Sequence, residues 1–400
     1  MTKEEFFIKI NLMLPIERES DNFLEDVDNA YKKYFTDVES LDLELFENSD
    51  VRNDTIREIK DRIQSIKSVL KKYLEGCHGE AYLLLKDRIT KIDGALDIGM
   101  ITIGKTEDTK QYYYRARIND GTIKSFSDMF HIPNNKREII KTERFSALGY
   151  PCLYLGNSVY DCWEEMGRPS FDELYFSGYK VVEEFKVYDL RKPNKEDFET
   201  EKLPDLLKRL IYVIACQFKV LHRDGHFKPE YIIPQLILEL IISSNRKKKE
   251  TECGPYSLAW GVAYTSTHLA DDFPYKEDYL ENIAIPVINN GIEQKYCNVL
   301  MSLFEVSDPI CYSYEELKEI HSGPFWGTIG EENTLRETYY ETKLGFVEKR
   351  IKENTKFNQS SYIVIDGPDK IILPAEGGSA QINVKSNDSW TIKADDIHSD

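Results

Sequence analysis

The chain has 400 residues, 41% hydrophobic and 30% charged, enough to bury a sizeable core and to build more than one structural unit. A formal charge of −18 argues against non-specific binding to nucleic acid or to an anionic membrane surface, so an anionic ligand needs locally placed arginines. The seven cysteines (Cys77, Cys152, Cys162, Cys216, Cys253, Cys297 and Cys311) are odd in number and form no CxxC pair, which argues against a zinc ribbon or a redox motif and for reduced, buried thiols.

The opening MTKEEFF carries early acids and no apolar run with a small-residue cleavage site. No window approaches about eighteen consecutive apolar residues, so no membrane span is expected; the reduced thiols point to a cytoplasmic protein, and with no CxxC pair no bound metal is expected. The first 95 residues read as helices. Phe23, Val27, Ala30, Tyr31 and Tyr34 form one stripe. Ile56, Ile59, Ile63, Ile66, Leu70 and Tyr73 form another, stepping by three and four. Gly76 supplies a helix stop, and His78 reads as part of the turn that follows.

From about residue 96 the pattern changes to mixed strands and helices, which predicts an α+β domain over residues 96–350 with a split or curved sheet. Tyr112–Ile118 (YYYRARI) is a strand whose two arginines share one face. Pro151–Leu155 is a short apolar strand that stops at Gly156-Asn157-Ser158, where Asn157 or Ser158 caps a helix through Glu164 and Glu165. Tyr179–Leu190 reads as one long strand, Asp205–Leu221 as a buried helix, and Pro234 as a residue in the first turn of the next helix. Lys247–Lys249 reads as a solvated loop, and Gly261–Thr265 and Asn282–Val287 as strands. A charged helix ends near Asn354. In residues 360–400, Ile371–Leu373, Ala380–Val384 and Ser389–Ile392 read as three short strands.

Arg144, Tyr154 and Glu165 are brought to one end of a strand–turn–helix unit, spaced by ten and then eleven positions. Breaking the bond between nicotinamide and ribose passes through an oxocarbenium-like transition state, which a carboxylate facing the developing charge stabilises. An arginine grips a pyrophosphate as a planar fork. A tyrosine stacks on a ring while its hydroxyl bonds ribose or phosphate. Singly, each residue has a plainer reading: a surface ion pair, a core tyrosine, a solvated acidic pair.

YYYRARI, ERFSALGYPCLYLGNSVYDCWEE and GVAYTS together resemble the RES family of toxin domains, over roughly residues 110–290. The resemblance implies an ADP-ribosyltransferase-like split-sheet core and an enzyme that consumes NAD by hydrolysis, phosphorolysis or ADP-ribosyl transfer. It also implies a separately encoded antitoxin as partner. It carries over Arg144 as a phosphate fork, Tyr154 as the stacking and hydroxyl contact and Glu165 as the ribose-directed carboxylate. It further carries over Arg115 or Arg117 as a second phosphate ligand, and Ser266 as a ligand of phosphate or carboxamide. Where the family often reads Arg-Trp-Asn, this chain has Arg144-Phe145-Ser146, and Glu164 sits beside Glu165. A helix turns by about 100° per residue, so only one of the two glutamates can face a site, and spacing from Tyr154 favours Glu165. His131, in MFHIP, recurs at similar positions in the family, with a turn histidine as its plainer reading. The wording PAEGGSAQINVKSNDSWTIKAD resembles the first half of a BACON-type β-sandwich, a module linked to carbohydrate contact. The alternative to an NAD-consuming enzyme is a non-catalytic nucleotide-binding or interaction module with a degenerate RES pocket.

Overall fold

Thr2 opens the first helix, α1 (Lys3–Met13), by accepting the Glu5 amide while Glu5 Oε2 accepts the Thr2 amide in return. The computed structural model describes residues 1–91, 95–104, 111–251, 259–268, 281–288, 295–324, 339–359, 363–366 and 383–389. Both helical stripes legible in the sequence lie on real helices. In α2 (Phe23–Glu39), Phe23, Val27, Ala30, Tyr31 and Tyr34 are all buried. In α3 (Ser49–Leu74), Ile59, Ile66 and Leu70 are buried, with Ile56, Ile63 and Tyr73 against the same core. Gly76, at φ +87°, takes the left-handed conformation that ends α3. His78 does not sit in the turn: it begins α4 (His78–Ile89).

A nine-stranded sheet follows, built from β1 (Met100–Ile103), β2 (Tyr112–Ile118), β3 (Cys152–Gly156), β4 (Leu174–Val181), β5 (Phe185–Leu190), β6 (Val262–Thr265), β7 (Glu281–Pro286), β8 (Phe304–Ser307) and β9 (Phe357–Asn358). Its order is β1-β5-β6-β7-β3-β2-β4-β8-β9, antiparallel except for β5 beside β6. Five residue pairs join β3 to β7 and seven join β2 to β4, but one pair alone, Tyr114 with Gly156, joins β2 to β3. The sheet thus falls into two halves that part at that point. The run Tyr179–Leu190 is accordingly two strands, not one. β4 pairs in one half and β5 in the other, and exposed Glu183 and Glu184 lie in the crossing between them.

Helices α5 (Val159–Glu165), α6 (Lys195–Thr200), α7 (Leu203–Cys216), α8 (Ile232–Thr251), α9 (Asn298–Leu303), α10 (Tyr314–Ile320) and α11 (Lys343–Asn354) complete the described α-helices. α7 stops five residues short of the predicted end, because the chain turns extended at Phe218 to bridge Ile16. Lys247–Lys249 continue α8 and do not form a loop, in keeping with the good helix propensity of lysine. The N-terminal helices share one core with the sheet. Tyr31 donates to the Ile211 carbonyl at 2.7 Å, and Tyr188, Val262, Tyr264 and Ala284 of the sheet join the same apolar cluster. The opposite side chains of the strands, including Leu153, Leu155, Val187 and Ile283, build a second cluster on the other face. A third gathers around α5 and α11. Near the end of the chain, β10 (Ile363–Asp366) pairs antiparallel with β11 (Asn383–Ser386). The expected strand at Ala380–Val384 overlaps β11, that at Ile371–Leu373 lies outside the described residues, and of Ser389–Ile392 only Ser389 is described. Among the described residues no helix is long and apolar enough to cross a membrane.

Candidate active site

Where β2 and β3 part, they open a cavity of about 550 Å³. Arg115 and Arg117 come from β2, Tyr154 from β3, Tyr264 and Asn282 from β6 and β7, Arg144 from a loop and Tyr231 from the 3-10 turn Pro229–Tyr231 that leads into α8. Among the described residues its charged lining has four fixed cations (Arg115, Arg117, Lys141, Arg144) against three acids (Asp120, Glu143, Glu165), in a chain that is strongly acidic overall. The locally placed arginines that an anionic ligand requires are therefore present.

Ser158, of the two candidate caps, starts α5 by accepting the Asp161 amide at 3.0 Å, and this short helix ends at Glu165 in the cavity wall. Close packing at the start of α5 depends on Gly156. A Cβ there would stand 2.7 Å from Asp161 Oδ2 and 3.1 Å from Cys162 Sγ. The two adjacent glutamates separate cleanly. Glu165 Oε1 accepts from Asn282 Nδ2 at 2.8 Å, and its Oε2 lies 3.8 Å from His268 Nε2. Glu164 points behind the wall, accepting from the Tyr160 hydroxyl at 2.7 Å and from Arg168 Nε at 2.5 Å. One helical turn before Glu165, Asp161 is fully buried, and neither carboxyl oxygen has a hydrogen-bond partner among the described residues. Burial, and then the charge of Glu165, push its pKa well up, against the opposing Asn282 amide.

Arg144 is buried and largely committed to the protein. It donates to the carbonyls of Cys216 and Phe218, both at 2.9 Å, and to Thr267 Oγ1 at 2.7 Å, with its guanidinium 5.0 Å from the centre of the Tyr231 ring. It therefore ties three chain segments together at the cavity wall, which the expected role as a free phosphate fork did not include. The neighbours that depart from the RES pattern are used in packing: Phe145 meets the Tyr264 ring at 4.7 Å, and Ser146 Oγ accepts the Glu143 amide at 3.0 Å. The Tyr154 hydroxyl donates to the Phe145 carbonyl at 2.8 Å, and burial raises its pKa far above the ordinary value. Each β2 arginine spends one Nη1 bond on a carbonyl, Arg115 on Phe130 at 2.7 Å and Arg117 on Asp128. A guanidinium carries five N–H donors, so each retains capacity for a ligand.

Ser266 is not part of the cavity lining. It is buried one step behind, where its hydroxyl accepts the His268 amide at 3.1 Å, while Thr267 and His268 reach the cavity. His131 is likewise structural: its Nδ1 meets the Ile132 carbonyl at 2.8 Å and its Nε2 accepts the Cys297 amide at 2.9 Å, and burial lowers its pKa to about 4. Asn282 and His268 are cavity-lining residues not expected from the sequence, and Asp161 lies buried behind them. Among the described residues one acidic group, Asp189, Asp197 and Glu201, has metal-ligand spacing. Arg209 fills it, donating to Asp189 at 3.0 Å and to Glu201 at 2.7 Å, so it is an ion-pair network rather than a metal centre.

No protein-family model matches the chain, and no solved structure matches it. Over 356 residues it is 30% identical to a Bacillus subtilis (strain 168) protein named "Putative toxin YopC", an alignment that covers 84% of this chain and 77% of that protein.

Proposed function

The chain belongs to the family of the Bacillus subtilis protein YopC, and we propose that it is a toxin-type enzyme that cleaves the nicotinamide–ribose bond of NAD. The observation that carries this reading is the placement of Glu165 in an arginine-lined cleft between the two sheet halves, its carboxylate oriented by Asn282. The resemblance to RES domains in the residues that line this cleft supports the choice of NAD over other anionic ligands.

In this reading Arg115 and Arg117 take the pyrophosphate with the donors they retain, and Arg144 holds the wall rigid beside them. Tyr231, Tyr264 and Tyr154 offer apolar ring surface to the nicotinamide and ribose. Glu165 bonds a ribose hydroxyl and faces C1′ as the bond to nicotinamide breaks and positive charge develops there. Asn282 needs no reorganisation during the reaction, since it already bonds the carboxylate.

Such an activity requires a restraining partner in its host, and an antitoxin is the partner proposed. Induced expression in a bacterial host tests the reading, with cellular NAD measured alongside growth. Arrest with NAD depletion, absent in Glu165→Gln, is expected. Arrest by both proteins at undiminished NAD would mean a toxin with another target.

A further inference from the structure

His268 stands beside Glu165 in the cavity lining and has no part in the phosphate and ribose contacts assigned above. Its backbone is fixed, with its amide on Ser266 Oγ at 3.1 Å and the preceding Thr267 held by Arg144 at 2.7 Å. Among the described residues its ring makes no hydrogen bond. The 3.8 Å from Nε2 to Glu165 Oε2 exceeds a hydrogen bond, and the side chain is 33% exposed, so a hydroxyl entering the cleft can reach both groups at once.

We propose that His268 is the base that activates the acceptor: its imidazole removes the proton from the hydroxyl that attacks ribose C1′ while Glu165 holds the ribose. The proposal rests on the NAD-cleaving reading. The bond from C1′ to nicotinamide breaks and its electron pair stays on the nicotinamide nitrogen, which becomes neutral. The bond from the acceptor oxygen to C1′ forms, and the acceptor's proton passes to His268. The acceptor is water or an alcohol; an already anionic nucleophile needs no base.

The surroundings of the ring fit this role. Burial, assisted by the cations Arg144, Arg223 and Lys228, holds the imidazole below its ordinary pKa against the raising effect of Glu165, so it is neutral and receptive near pH 7. Among the described residues Glu143, Tyr154, Tyr231 and Tyr264 also line this cavity, all with raised pKa values; the tyrosines stay protonated and so do not compete as bases. Once protonated, His268 faces the Glu165 carboxylate, which stabilises the new charge.

The test compares nicotinamide release by wild type, His268→Gln, His268→Asn and Glu165→Gln in phosphate-free buffer from about pH 5 to 9, with and without azide. The expected result is a loss on the order of a hundredfold in both His268 variants, with KM for NAD little changed. The acid-side fall in rate seen in wild type should vanish, and azide should restore the rate by forming ADP-ribosyl azide. Melting midpoints identify a variant that is merely unfolded, and the second substitution then decides. Unchanged rates, or a loss that azide does not restore in a folded variant, would overturn the role of His268 alone. A wild type that releases no nicotinamide under any condition would overturn the NAD-cleaving reading, and this proposal with it.

Discussion

The side-chain amide of Asn282, on β7, donates to Glu165 Oε1 at 2.8 Å, so the carboxylate delivered by α5 is fixed from the strand beside β3, where Asn282 pairs with Gly156. A hydrogen bond to a charged group contributes about 1.5–3 kcal/mol, equivalent to roughly 10- to 100-fold in rate if it serves the transition state. Asn282→Ala should therefore lower kcat for nicotinamide release by about that factor, with a smaller change in KM. Steady-state kinetics check it.

Glu164 and Glu165 should separate by phenotype. Glu164 is tied to Tyr160 and Arg168 behind the wall, and losing its charge weakens both bonds. Glu164→Gln should cost about 1–3 kcal/mol of stability in a denaturant titration and leave the rate per folded molecule near wild type.

Arg144 and Arg115 should separate likewise. Arg144→Lys keeps the charge but not the fork that reaches Cys216, Phe218 and Thr267 together, so it should destabilise the protein by about 2–4 kcal/mol. Arg115→Ala removes one carbonyl bond from a half-buried side chain, and its main effect should be a raised KM for NAD. Paired thermal melts and kinetics on the two variants distinguish these outcomes.

Asp161 makes stability depend on pH. Its folded-state pKa lies well above the ordinary 3.8, chiefly through burial, so the folded state holds the proton more tightly than the unfolded one. The stability linked to that proton is complete below about pH 3.8 and falls as pH rises toward the folded value. Asp161→Asn mimics the protonated form and lacks this loss. It should be close to wild type in stability at about pH 4 and more stable by a growing margin toward about pH 8. Denaturant midpoints across that range check it; a variant that loses ground as pH rises would contradict it.

Much of the scaffold was legible because local pattern decides it. The aromatic and β-branched run Tyr112–Ile118 is β2 residue for residue, and the stripe from Phe23 to Tyr34 is the buried face of α2. The crossing at Val182–Glu184 was not legible, since it contains neither glycine nor proline to mark a turn. Of the site, the strand–turn–helix that delivers Tyr154 and Glu165 could be read, as could the shared face of Arg115 and Arg117. The partners of these residues could not. Asn282 lies 117 positions from Glu165, and Arg144 meets Cys216 and Phe218 across more than seventy. The position of Ser266 could not be read, because its hydroxyl accepts the His268 amide just past β6 while Thr267 and His268 line the cavity.

Glu165, in the cleft between the sheet halves, is proposed to drive cleavage of NAD. Nicotinamide release by the purified chain, beside Glu165→Gln at matched melting midpoint, tests it most directly. Turnover by wild type and a loss on the order of a hundredfold or more in the variant are expected. Equal rates in the two proteins, or no release by either, would contradict it.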